Sequence, residues 1–198
     1  MIKKFLLITI VFVLFVNATV VNTTSVNTTT EITKTEMLPV YVDYNIPYLE
    51  KNYVAFKEAV AFKESQGKYH VVNTLGYLGK YQFGRTTLER FKIYDTSAFL
   101  QNPEQQEKAF MALCKVNKWI LRKDIKRSVG KTINGILITE SGILAAAHLG
   151  GAGNVKKFLR SNGAIGFSDA YGATIRSYMK RFANYDVSNI EADRLATV

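Results

Sequence analysis

Cysteine is almost missing from the chain, and its single occurrence, Cys114, excludes any intrachain disulfide. Cys114 lies among Phe110, Leu113 and Val116, on a helix that Asn102 and Pro103 open as N-cap and first residue. That setting predicts a buried, inert thiol rather than a nucleophile. A nucleophilic cysteine needs a base beside it, and neither histidine, His70 or His148, is tied to it by spacing. With two histidines, one cysteine and scattered acids, no metal-ligand cluster is present in the sequence. Gly150-Gly151-Ala152-Gly153 lacks the following Lys-Ser/Thr and the preceding strand of a phosphate-binding loop. No cofactor is therefore expected. There is no internal repeat, and the one long apolar run, Phe5 to Val16, is short for a membrane span.

Acidic residues are also scarce, 16 against 26 basic ones, for a net charge of +10. Lys3 and Lys4 precede the apolar run, and Val16-Asn17-Ala18 supplies small residues for cleavage. This three-part pattern predicts a signal peptide over residues 1–18 and a secreted or periplasmic product; an uncleaved anchor is the lesser alternative. Residues 19–37, rich in Thr and Asn, read as a flexible tether. The remainder, 38–198, has the length of one domain, with a monomer expected. Lys115, Lys118, Arg122, Lys123, Lys126, Arg127 and Lys131 crowd one segment opposed only by Asp124. A basic secreted protein concentrates at an anionic cell wall. Nucleic acid is the poorer partner and none is expected, since secretion removes the opportunity and no binding motif accompanies the charge.

The periodicity singles out one carboxylate. Leu49, Tyr53, Phe56 and Val60 recur at helical spacing, and Glu64 is the next step on that face. Glu58 lies opposite, toward water, and Gly67 suits the left-handed stop after the helix. A carboxylic acid at a helix C-terminus among apolar neighbours meets desolvation and the negative end of the dipole, both of which favour the proton-donating form. Glu140, followed by Ser141, is the rival. It sits at a helix N-terminus where the dipole favours an anion, so it suits a base rather than an acid.

Glu64-Ser65, followed by Asn73, Gly76, Gly79 and Gln82, resembles the Glu-Ser…Ser-x-x-Gly-x-x-Gly-x-x-Gln run of soluble lytic transglycosylases, with the same Glu-to-Gln spacing. Ala146-Ala147-His148-Leu149-Gly150-Gly151-Ala152-Gly153-Asn154-Val155 is similar to their Ala-Ala-Tyr-Asn-Ala-Gly-x-Gly-x-Val motif. Thr174-Ile175-Arg176-Ser177-Tyr178-Met179 is similar to their Glu-Thr-Arg-x-Tyr-Val run. His148 stands where that family has Tyr, Leu149 where it has Asn, and Thr174 where it has Glu. The resemblance spans about Tyr48 to Tyr185 and implies a lysozyme-like fold acting on peptidoglycan glycan strands. It further implies that Glu64 is the sole acid/base and that the muramic C6 hydroxyl attacks the anomeric carbon, leaving a 1,6-anhydro product. Ser65, Gln82, His148 and Tyr178 are the implied substrate contacts, with Tyr69, Tyr77 and Tyr81 as aromatic faces for sugar rings. A water-using lysozyme or chitinase-type glycosidase would need a second carboxylate, for which Glu140 is available. A non-catalytic wall-binding protein is the third reading.

The fold expected is mainly α with a small loop or hairpin, an α+β arrangement of lysozyme-like type. Helices are expected near 48–66, 84–92, 103–122, 141–149, 154–161 and 168–184. The stretch Val71 to Phe83 is expected as an irregular loop or small hairpin carrying Gln82, and Tyr171, Ile175, Tyr178 and Phe182 as the stripe of the last helix.

Overall fold

The computed structural model describes residues 50–198, so the signal-peptide and tether readings lie outside the described residues. The fold is mainly helical. α1 (Tyr53–Ser65) starts where the Asn52 side chain accepts from the Ala55 N–H at 3.1 Å and buries Phe56, Val60 and Ala61. Gln66 (φ 59°) and Gly67 (φ 78°) both turn left-handed and end it. The stop is one residue broader than Gly67 alone.

The chain then forms a compact loop in which Leu78 bridges to Val72 on one side and Phe83 on the other. α2 (Arg85–Arg90) follows, and a short α3 (Thr96–Leu100), unforeseen from periodicity, is capped by Asp95. α4 (Pro103–Ser128) begins at the expected Asn102 cap but runs six residues past 122. The extension is held because Asp124, buried on it, takes charged hydrogen bonds from Arg127 and from Arg160 of the next helix.

A hairpin, also unforeseen, joins β1 (Thr132–Ile133) to β2 (Ile136–Leu137). Its two-residue turn is Asn134-Gly135 at φ 50° and 73°, the type I′ geometry that Asn-Gly favours. The expected helices 141–149 and 154–161 are two halves of α5 (Glu140–Arg160), broken at Gly151 (φ 75°, ψ 154°). α6 (Ile175–Arg181) is shorter than 168–184, because Thr174 and Ser177 form a capping box that starts the helix there. Tyr171 consequently leaves the expected stripe and is 64% exposed, while Ile175, Tyr178 and Phe182 are buried. Among the described residues, no helix is long and apolar enough to cross a membrane.

The core joins Phe56 and Val60 of α1 to Phe110 of α4, Ile143 and Leu144 of α5 and Ile175 and Met179 of α6. Cys114 belongs to it, and burial pushes its thiol up to about 12, which suits the inert role.

One glycine fixes how the loop meets this core. Gly79 has φ 73°, and a Cβ there would collide with the Gln106 carboxamide. Gln106 is fully buried and cannot yield: its Oε1 accepts from Lys80 N at 2.8 Å, and its Nε2 donates to Phe99 O at 3.0 Å and Tyr69 O at 3.1 Å. Gly79→Ala is expected to destabilise the protein by about 2–4 kcal/mol, combining left-handed strain with a disrupted buried network. Urea unfolding measures it; a change below about 1 kcal/mol would show that the network repacks.

Candidate active site

Glu64 sits in the last turn of α1 with its side chain 15% exposed. Its Oε1 accepts from the Tyr178 hydroxyl of α6 at 2.8 Å, and His148 Nε2 of α5 lies 3.9 Å from the same oxygen. Burial, then the Glu64 carboxylate, pushes the Tyr178 phenol well above its ordinary value, so it stays an O–H donor. His148 Nε2 is 2.8 Å from the Tyr81 carbonyl. A carbonyl can only accept, so Nε2 is the donor in this contact. Nδ1 is buried without a hydrogen-bond partner among the described residues. The ring is held edge-on to Phe83 and Phe110, at 5.9 Å and 5.5 Å between centroids.

Two confluent cavities, about 850 and 340 Å³, share Glu64, Asn73, Gln82, Asp169 and Tyr171 in their walls. The larger opens toward Tyr178 and Arg181, and the smaller is walled by Tyr77, Leu149 and Phe167. Gln82 holds a left-handed φ of 51°, with Nε2 donating to Gly79 O at 2.9 Å. Its Oε1 makes no hydrogen bond among the described residues and remains available at the cleft. A non-glycine residue in that conformation beside a cleft marks strain held by its surroundings.

The structure thus gathers Glu64, Gln82, His148 and Tyr178. Others fall elsewhere. The Ser65 hydroxyl donates to Lys80 O at 2.7 Å and accepts from Lys68 N at 3.0 Å, which ties helix to loop and leaves Ser65 out of the cleft walls. Tyr69 and Tyr81 lie behind the site, not in it. Their hydroxyls each donate to Glu107 at 2.8 Å, in a cluster with Lys57, Glu58 and Lys80, and Tyr81 is stacked on Phe110 at 4.1 Å. Lys80, a loop residue whose side chain is only 5% exposed, draws both rings to that side, so of the three loop tyrosines Tyr77 alone reaches the cleft, beside Phe167, Tyr171 and Tyr178.

Glu140 is likewise remote. It occupies the first turn of α5 beside the Thr139 cap, with Lys118 Nζ 2.6 Å from its carboxylate, and it lines neither cavity. The carboxylate that shares the cleft with Glu64 is Asp169, which sequence reasoning missed. Its Oδ1 accepts from Tyr171 N at 3.0 Å and Ala173 N at 2.7 Å. Its Oδ2 makes no hydrogen bond among the described residues. The signal existed: Ser168-Asp169 and Gly172 form a turn cluster. Extending the last helix back to residue 168 concealed it. Thr174, where the resembling family has Glu, serves as helix cap, and Leu149 gives the smaller cavity an apolar wall.

Among the described residues no group of His, Cys, Asp and Glu is placed to hold a metal ion. Tyr178→Phe tests the Tyr178–Glu64 contact. The ring keeps its packing on Phe182, 5.2 Å away, so the fold should persist, and if Glu64 works as an acid, turnover should fall about tenfold, on the scale of one lost hydrogen bond. A steady-state kcat with a thermal melt checks both, and unchanged kcat would remove Tyr178 from the working site.

No family model, curated protein or solved structure matches the chain.

Proposed function

We propose that the chain is a peptidoglycan-cleaving enzyme of lysozyme-like type, in which Glu64 alone serves as acid and then base at β-1,4 bonds of the glycan strand. The observation that carries this reading is a single one: Glu64, partly desolvated and hydrogen-bonded by Tyr178, stands in the shared wall of two confluent cavities. The motif resemblance over Glu64 to Gln82 and Ala146 to Val155 supports the same assignment.

In the reaction proposed, Glu64 gives its proton to the leaving glycosidic oxygen as the bond to the anomeric carbon breaks. The C6 hydroxyl of the same muramic residue then bonds to that carbon, and its proton passes to the Glu64 carboxylate. The product is a 1,6-anhydro sugar, no water is consumed, and Glu64 ends protonated as it began. His148 stands 3.9 Å behind the carboxylate, and the apolar wall of Leu149 and Phe167 limits water at the anomeric carbon.

A hydrolytic reading has its own observation, the position of Asp169 in both cavities with Oδ2 unengaged. A second carboxylate so placed would activate water or stabilise the oxocarbenium-like centre. Glu140, beside Lys118 and outside both cavities, is the less favourably placed carboxylate for that role. Mass spectrometry of muropeptides from digested peptidoglycan separates the two readings. Products ending in anhydro-muramic acid, still formed by Asp169→Asn, are the result expected. Reducing-end products one water heavier, lost in Asp169→Asn, would make the enzyme a hydrolase. No products from a folded protein would leave a binding module.

A further inference from the structure

The Glu64 cleft does not end at the smaller cavity. A third space of about 230 Å³ shares Tyr77, Gln82, His148 and Leu149 with it. A fourth, about 460 Å³, shares Thr86, Thr87, Leu113 and Asn117 with the third. The spaces follow one another along shared walls, away from the Glu64 cleft and between α2, α4 and the second half of α5.

Asn117 stands at the junction of the last two spaces. It is 5% exposed, yet its side chain makes no hydrogen bond among the described residues. Its carboxamide faces the two spaces, where its hydrogen-bonding capacity is open to a bound molecule. Arg90 from α2 and Lys156 from α5 line the outer space, and neither pairs with a carboxylate among the described residues. The Gly151 break directs the second half of α5, so that Gly153 and Lys156 form a wall. A Cβ at Gly153 would meet nothing within 4 Å. The remaining lining, Leu113, Val116 and Ile120, is aliphatic.

We propose that this outer space is an accessory binding site for a short peptide segment carrying a free carboxylate, contiguous with the glycan cleft. A carboxamide both donates to and accepts from a peptide bond, which matches Asn117 to a backbone amide. The two unpaired cations match a carboxylate, and the aliphatic floor matches a small apolar side chain. A neutral sugar would satisfy the amide but leave both cations unused. The assignment of this peptide to the stems of peptidoglycan rests on the glycan-cleaving reading above; the site's chemistry does not.

Two variants that leave the Glu64 cleft untouched test it: Gly153→Trp, which fills the space without backbone strain, and the double change Arg90→Ala/Lys156→Ala. Glycan strands bearing their peptide stems, and the same strands stripped of stems by an amidase, are the substrates. Both variants should raise KM about tenfold on stem-bearing strands with kcat within about twofold, and match the parent on stripped strands. Equal kinetics of variants and parent on both substrates would overturn the site, as would equal losses on both. Should Gly153→Trp fail to fold, the exposed charge pair carries the comparison alone. Should the parent cleave neither strand, the glycosidase reading falls and the site is judged by binding. A stem-bearing disaccharide should then shift the Asn117 side-chain amide resonances in the parent and not in the double variant. No shift in the parent would overturn it.

Discussion

Glu64→Gln should lower glycan cleavage by about 10²- to 10⁴-fold, the range supplied by a positioned general acid, while leaving the protein folded. Structural tolerance follows from the geometry. Glutamine keeps the volume of glutamate, and its Oε1 can still accept from the Tyr178 hydroxyl that now donates at 2.8 Å. What glutamine lacks is a transferable proton, and no neighbour replaces it. His148 Nε2 already spends its proton on the Tyr81 carbonyl, and burial with the carboxylate's proximity keeps Tyr178 from ionising. Strand binding should persist, because Asn73, Gln82, Asp169 and Tyr171 still line the cleft. Turnover by release of soluble muropeptides, binding by pull-down on insoluble walls, and a thermal melt together read the three quantities. Turnover within tenfold of the parent would remove Glu64 from the chemistry and return attention to Asp169.

Glu107→Gln should cost about 3 kcal/mol of stability at neutral pH, the lower part of the range for breaking a buried ion pair. Glu107 accepts from Lys57, from Lys80 at 2.7 Å, and from the Tyr69 and Tyr81 hydroxyls at 2.8 Å each. Lys80 is the group left exposed to the loss of charge balance, though Glu58 at 2.8 Å remains to it. Burial alone would raise the Glu107 carboxyl. The hydrogen bonds from Lys57, Lys80, Tyr69 and Tyr81 outweigh burial and hold it at about 2 instead of 4.5. A depressed folded-state value means the contribution is complete above the unfolded value and is lost as pH falls from 4.5 through about 2. The stability gap between parent and variant should therefore be widest near neutrality and narrow across that acid window. Urea unfolding at pH 7 and pH 3 measures it, and a gap independent of pH would show that packing, not charge, makes the difference.

Periodicity located α1 and placed Glu64 on its inward face, because the helix is long and buries one clean stripe. The Asn102 cap was legible from a different local signal, Asn followed by Pro at a helix start. Periodicity did not locate the hairpin at 132–137, whose strands of two residues are too short to show alternation, although Asn134-Gly135 was a turn signal in plain sight. Nor did it separate cleft aromatics from core ones. Tyr69, Tyr77 and Tyr81 are alike in sequence. Which way each ring turns is decided by Lys80 and Glu107, a pairing across 27 positions that no local pattern carries. Asp169 went unread because the expected last helix reached back over its turn, and Lys118, 22 positions away, lies 2.6 Å from the Glu140 carboxylate.

Tyr81 faces two ways. Its phenol belongs to the ion cluster, and its carbonyl fixes the proton of His148 behind Glu64. Residues 57, 80 and 107 are thereby bound to the fate of a cleft none of them touches. Among descendants of this chain, changes at those three positions should arrive in compensated sets rather than singly. A lineage that lost Glu107 alone would drift in activity before any cleft residue had changed.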